Sequence, residues 1–337
     1  MPPFPECRLS LTSSSSSPYY VGNILQLTNL PPLISTDVRI LKVMEPITLS
    51  VVLQVEIMSG QRHLDGLCGT AILKLFDRRF ADGLREGKYG SLKGIVKPWN
   101  PDYDADFIAA IQEDPDDKTE FKDWTIPQLE ALLYRECMTL YQAERKAYEH
   151  LAPLQGEYVP KLYANGWLED SSRGIHLQIP GLLLEFIPGF SLRNVADYVP
   201  EDTLQALCDE AISVLNRIDD LGILNKDVRL DNVLIRQKRS DATQETTYKP
   251  VFIDFALSEV RDDFSAEEWT VMKCQRDEEG ALGHVAQMHL RKITGTRKKK
   301  TTLFPFVYTP SYRYTIKPVN SDSDLSMYQG PLGTFVK

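Results

Sequence analysis

The run Asn225-Lys226-Asp227-Val228-Arg229-Leu230-Asp231-Asn232-Val233-Leu234-Ile235 is followed, one apolar strand later, by Phe252-Ile253-Asp254-Phe255. An aspartate and an asparagine lie five residues apart just ahead of a short apolar stretch. A second aspartate ends the next apolar stretch. A loop–strand–turn–strand unit of this kind can gather Asp227, Asn232 and Asp254 around one point. Carboxylate and amide oxygens are the donors that hold magnesium, and a carboxylate beside an attacking hydroxyl is what phosphoryl transfer requires.

Upstream, residues 38–43 and 51–57 are rich in β-branched residues in partial alternation, and Ser59-Gly60 marks a turn after the second. Residues 70–76 predict a third strand, so the first third reads as a small antiparallel sheet. Residues 78–124, broken by Gly, Pro and Asp, read as an insertion with little regular structure. From Ile126 to Leu151 the apolar residues Ile126, Leu129, Leu133, Cys137, Leu140, Ala143, Ala147 and Leu151 recur every three or four positions, which predicts a helix. Residues 181–189 read as an apolar strand running into a turn. A second helix is expected over about 202–221, with Asp202 as its N-cap. Short strands at 233–235 and 251–253 are joined by a polar hairpin, 237–249. One helix-like stretch, 266–293, precedes an irregular tail.

With those elements in place, the chain resembles the protein-kinase-like superfamily, in particular its short, divergent fungal members. Asp227-x4-Asn232 followed by Ile253-Asp254-Phe255 is similar to that family's catalytic loop and metal-binding Asp-Phe-Gly motif. The resemblance implies that Asp227 is the catalytic base, that Asn232 and Asp254 bind the metal, and that Arg229 steadies the transferred phosphate. Ala71-Ile72-Leu73-Lys74 is similar to the family's Val-Ala-Ile-Lys, so Lys74 is implied as the nucleotide-binding lysine. Glu144 is implied as its helical partner, with Glu136 and Glu149 as rivals on the same helix. Leu184-Glu185-Phe186-Ile187 corresponds to the hinge strand: Leu184 guards the back of the adenine pocket, and Glu185 and Ile187 belong to the cofactor site. The implied cofactors are ATP and Mg2+.

The implied fold is α+β and bilobal. Residues 1–36 form a flexible lead-in, 37–187 a small β-rich N-lobe with the insertion at 78–124, and 188–337 a larger but shortened helical C-lobe with an irregular tail. The resemblance covers about residues 38–260.

The sequence departs from the family pattern in three places. Residues 44–50 contain no glycine where a phosphate-cradling loop is expected, leaving the Ser50 hydroxyl as a candidate contact. Asn225 stands where the family has His, and an amide can still donate and accept. Ala256 replaces the Gly after Asp254-Phe255. Only 83 residues follow Asp254, and no Ala-Pro-Glu motif marks an activation segment.

The expected activity is transfer of the ATP γ-phosphate to a Ser or Thr hydroxyl of a protein. Two other readings stand beside it: a small-molecule phosphotransferase of the aminoglycoside or choline type, and a pseudokinase used as a binding or scaffold module.

The 337 residues are 42% hydrophobic and 25% charged, ordinary for a soluble globular chain, and the formal net charge is −9. That balance argues against a nucleic-acid partner held by bulk charge. The five cysteines are widely spaced without a CxxC pair, which points to a reducing, intracellular compartment, cytoplasmic or nuclear. No apolar run is long enough to span a membrane. The scattered histidines suggest no metal site. Arg297–Lys300 reads as a solvated turn, and Tyr308, Tyr312 and Tyr314 as packing residues.

Overall fold

Alternation of apolar residues builds the N-terminal part of the molecule. The computed structural model describes residues 17–30, 33–58, 69–87, 99–100, 102, 107, 110, 124–170, 177–239, 246–297, 306–311 and 313–314. Strands β1 (Ile24–Leu30), β2 (Leu33–Met44), β3 (Val51–Ile57), β4 (Gly69–Leu75), β5 (Leu162–Asp170) and β6 (Leu177–Glu185) form a closed antiparallel barrel in the order β1-β2-β3-β4-β6-β5. Residues at every second position, among them Leu27, Val38, Ile40, Val51, Leu53, Val55, Ala71, Leu73, Leu75 and Leu183, fill its interior. The opposite faces of β4 and β6 point out of the barrel, and Leu182 and Leu184 join a second core shared with the helices.

The small antiparallel sheet expected from the sequence gains strands and closes: β1 pairs with β5 at Leu27↔Leu168 and Thr28↔Trp167. Residues 17–30 are therefore part of the fold rather than of a lead-in. Tyr19, Leu25 and Leu27 are buried because they plug the barrel, whereas the Ser- and Pro-rich composition belongs mainly to residues 1–16, outside the described residues.

Helix α1 (Ile126–His150) begins at Thr125, whose N–H donates to Gln128 Oε1 at 2.8 Å. Its apolar stripe packs on the shared core, and the helix also buries two acids, Glu130 and Glu144. After β6 the chain passes through β7 (Gly189–Ser191) to α2 (Leu204–Asp220), β8 (Ile223–Asn225), β9 (Val233–Arg239), β10 (Thr246–Phe252) and β11 (Ser258–Val260). Strands β10, β9 and β7 form one small sheet, and β8 and β11 another. Helices α3 (Ala266–Arg276) and α4 (Glu278–Arg297) complete a helix-rich C-terminal part, with α4 packed on α2.

A β-rich N-terminal part thus precedes a helical C-terminal part. Helix α2 starts at Leu204 after a 3-10 turn over Glu201–Thr203, with Thr203 rather than Asp202 at the cap position. The single helix expected over 266–293 is split at Asp277, whose left-handed φ of 40° ends α3. Among the described residues no helix is long and apolar enough to cross a membrane.

Candidate active site

Lys74 sits in β4 opposite Val52 and Leu182, so its side chain leaves the barrel and points toward α1. Its Nζ lies 2.6 Å from Glu144 Oε2 and 2.8 Å from Asp254 Oδ1. A strand, a helix and the turn after β10 therefore meet at one ammonium. The Lys74 and Glu144 side chains are 6% and 1% exposed, while Asp254 keeps 33% of its side chain open. Burial favours neutral Lys74, but Asp254 and Glu144 outweigh it and hold the ammonium well above its ordinary pKa. Burial likewise raises Glu144 despite Lys74. Burial pushes Asp254 the same way, yet the Lys74 cation overcomes it and holds that carboxyl below the usual range.

Of the three helical acids considered, only Glu144 reaches the lysine. Glu136 and Glu149 are exposed, and Glu149 pairs with Arg145. Glu144 Oε1 also accepts from the Phe255 N–H at 3.4 Å. The Phe255 ring meets Tyr148 edge-on at 5.6 Å, so α1 grips the turn that carries Asp254.

The loop after β8 converges on the same place. Asn232 Nδ2 donates to Asp227 Oδ2 at 2.9 Å and to the Asp227 carbonyl at 3.0 Å, while Arg229 lies 3.1 Å from Asp227 Oδ2. Burial raises the Asp227 carboxyl above its ordinary value even though Arg229 opposes the shift. Asn225 is bonded at both ends of its amide. Its Oδ1 accepts from the Asp227 N–H at 2.9 Å, and its Nδ2 donates to the Asp254 carbonyl at 3.2 Å. One amide therefore ties both loops together. Asp254 adopts a left-handed φ of 66°, a conformation that aspartate tolerates better than most residues.

Among the described residues no cluster of three or more His, Cys, Asp or Glu side chains makes an all-protein metal cage. Asp254 and Asn232 instead offer a hard-oxygen pair of the kind that holds Mg2+ together with substrate phosphates, and the ionised Asp254 suits that cation.

The hinge residues divide. Leu184 is buried opposite Ile72 and Leu162, and Ile187 is buried as well. The Glu185 carboxylate binds Arg236 Nη2 at 2.9 Å and accepts from the Lys161 N–H at 3.1 Å. The glycine-free loop between β2 and β3 is fastened rather than open. The Thr48 carbonyl accepts from the Gly83 N–H at 2.9 Å, Leu49 enters the shared core, and Ser50 is buried. Its backbone is held by neighbours, a different device from a glycine cradle.

One group was not foreseen. Residues 78–87, expected to open an insertion, are built into the fold. Arg85 binds both oxygens of Glu130 on α1 at 2.8 Å, Arg78 pairs with the same carboxylate, and Asp77 joins Arg79 and the Tyr19 hydroxyl. Through Glu130, Arg78 and Arg85 tie this segment to the N-terminal half of the helix that carries Glu144. The available signal was Phe76-Asp77-Arg78-Arg79-Phe80, in which aromatics bracket the charges.

No protein-family model matches the chain, and no curated protein matches it. Among solved structures the chain is similar to the Rio2 kinase of Chaetomium thermophilum in its ADP/Mg2+-phosphoaspartate complex, at 14% identity and a TM-score of 0.40, over 79% of this chain and 60% of that one. It is also similar to the BubR1 kinase domain, at 11% identity and a TM-score of 0.37, over 76% of this chain and 55% of that one. The chain therefore spans less than two thirds of the length of either structure.

Proposed function

We propose that the protein is an ATP- and Mg2+-dependent phosphotransferase of the protein-kinase type, moving the γ-phosphate to a Ser or Thr hydroxyl of a protein. The observation that carries this reading is the buried Lys74 ammonium shared by Glu144 at 2.6 Å and Asp254 at 2.8 Å, beside the Asp227–Asn232 pair. In this reading Lys74 holds the nucleotide phosphates and Asn232 and Asp254 hold the metal. Asp227 takes the proton of the attacking hydroxyl as its oxygen bonds to phosphorus and the bond to the β-phosphate oxygen breaks. Arg229, next to Asp227, faces the transferred phosphate. Bound Mg2+ supplies neutralisation of the charge that develops on the phosphates.

A second acceptor class is favoured by a specific observation. Asp254 is followed within a few residues by β11, which pairs back onto β8, and α3 starts at Ala266. That short path offers a peptide little to lie along, which favours a small alcohol as acceptor.

The test is a thermal-shift titration with ATP, with and without Mg2+, on wild type, Asp254→Ala and Asp227→Asn, followed by labelled phosphate transfer to protein and to small alcohols. A ligand that binds only the folded state raises Tm. The expected result is a Mg2+-dependent rise that Asp254→Ala abolishes and Asp227→Asn keeps, with turnover lost in Asp227→Asn by about a hundredfold or more. Nucleotide binding without any transfer means a pseudokinase module. The absence of a shift at saturating ATP refutes the nucleotide site itself.

A further inference from the structure

Strand β8 leads directly into the Asp227 loop, yet among the described residues it pairs with another strand along one edge only, that facing β11. Its other edge is completed by side chains. The Ile223 carbonyl accepts from Lys273 Nζ at 3.3 Å, and the Asn225 N–H donates to Glu278 Oε1 at 2.7 Å. Buried backbone groups need such partners, so the α3–α4 junction acts as the missing neighbour strand. Lys273 also contacts Asp219 Oδ1 at 2.8 Å and pairs with the Glu278 carboxylate. Lys273, Asp219 and Glu278 are 4%, 9% and 8% exposed.

One ammonium between two buried carboxylates leaves a negative charge over. Residues 313–314 supply what is missing. The Tyr314 hydroxyl donates to Asp219 at 2.8 Å and 3.0 Å, and the Arg313 guanidinium lies 3.6 Å from the same carboxylate. Arg313 is fixed in turn by the Asn216 carbonyl at 2.9 Å and by Asp220. Cys274 Sγ donates to the Tyr314 carbonyl at 3.3 Å. Burial and the adjacent Asp219 both push the Tyr314 phenol above its ordinary pKa, so it remains a donor at neutral pH.

We propose that Arg313 and Tyr314 are positioning residues for the Asp227 loop, acting through Asp219, Lys273 and Glu278 on Asn225. Because Arg313 and Tyr314 share Asp219, Lys273 holds Glu278 and the Ile223 carbonyl as well as that carboxylate. Glu278 in turn anchors Asn225, whose amide spans Asp227 and Asp254. Without the two tail residues, Lys273 must satisfy more of the buried Asp219 carboxylate it already contacts, and the stronger pull on its ammonium loosens both contacts to β8. The catalytic meaning of this chain rests on the phosphotransfer reading, whereas the coupling is a property of the hydrogen bonds and is measurable without turnover.

The experiment is hydrogen exchange on the full chain for wild type, Tyr314→Phe and Arg313→Gln, comparing the peptide over 223–232 with barrel strand β3. The expected outcome is exchange over 223–232 faster by about threefold to tenfold in each variant, with β3 unchanged, the scale of one ordinary hydrogen bond lost to the strand. Where transfer is measurable, kcat falls by a similar factor while the KM for ATP stays constant. Unchanged exchange over 223–232, or acceleration spread equally through β3, overturns the proposal. So does faster loop exchange with kcat intact in an active wild type. If the wild type transfers no phosphate but the exchange effect is present, the coupling stands and the phosphotransfer reading falls.

Discussion

Three side chains far apart in sequence carry the site: Lys74, Glu144 and Asp254. The short motifs around Lys74 and Asp254 were legible because Lys74 lies within, and Asp254 just after, a recognisable apolar strand. Glu144 was one of three helical acids, and only packing separates them, since Glu136 and Glu149 face solvent. The triad makes an electrostatic prediction. Asp254 titrates below its ordinary value of 3.8 because Lys74 overcomes the effect of burial. A folded-state pKa below the unfolded one adds stability above the ordinary carboxylate range, and this is lost as pH falls through the folded value. In Lys74→Met the cation that lowers both carboxyls is gone, while burial still raises them against Arg229 and the Ala256 N–H at Asp254 and the Phe255 N–H at Glu144. Both folded pKa values move up, so relative to the wild type the variant loses stability as pH rises through the carboxylate range. Tm measured between about pH 3 and 7 checks the sign. Parallel curves for wild type and Lys74→Met would refute the coupling.

At the scale of elements, the least legible strands were β1 and β5. The alternation of Leu25 and Leu27 was present, but it follows a Ser- and Pro-rich stretch whose composition dominates a local reading. In β5, Leu162-Tyr163-Ala164-Asn165-Gly166-Trp167-Leu168-Glu169-Asp170 lacks β-branched residues, and it is a strand because β6 and β1 lie on either side of it. Barrel closure through β1 has an energetic consequence. Leu27 is 1% exposed, and Leu27→Ala should cost about 2–5 kcal/mol in urea unfolding, the usual range for a truncated core leucine. A change within about 0.5 kcal/mol, typical of surface sites, would mean that β1 is an appendage rather than a stave of the barrel. The break at Asp277 also escaped the sequence reading, because the residues on both sides of it favour helix.

For the whole molecule, the decisive contacts are those that join the two parts. Arg236 on β9 binds Glu185 at the end of β6 and the Gly156 carbonyl, with only 10% of its own side chain and 19% of the glutamate's exposed. Arg236→Ala leaves that carboxylate poorly paired, and a loss on the order of 3 kcal/mol is expected in denaturant unfolding, together with weaker ATP binding if the proposed phosphotransferase site at residues 184–187 holds nucleotide. Stability and nucleotide affinity both unchanged would show that Arg236 does not join the two parts. The sequence by itself determined the strand periods, the apolar stripe of α1 and the spacing of Asp227, Asn232 and Asp254, because these follow from side-chain alternation and local chain geometry. The tertiary structure alone decided that β1 closes a barrel, that Glu144 rather than its rivals meets Lys74, that Glu185 turns to Arg236, and that Arg313 and Tyr314 complete a buried ion cluster behind the Asp227 loop. Each of these depends on which charges and edges are buried together, and burial is set by residues from distant parts of the chain.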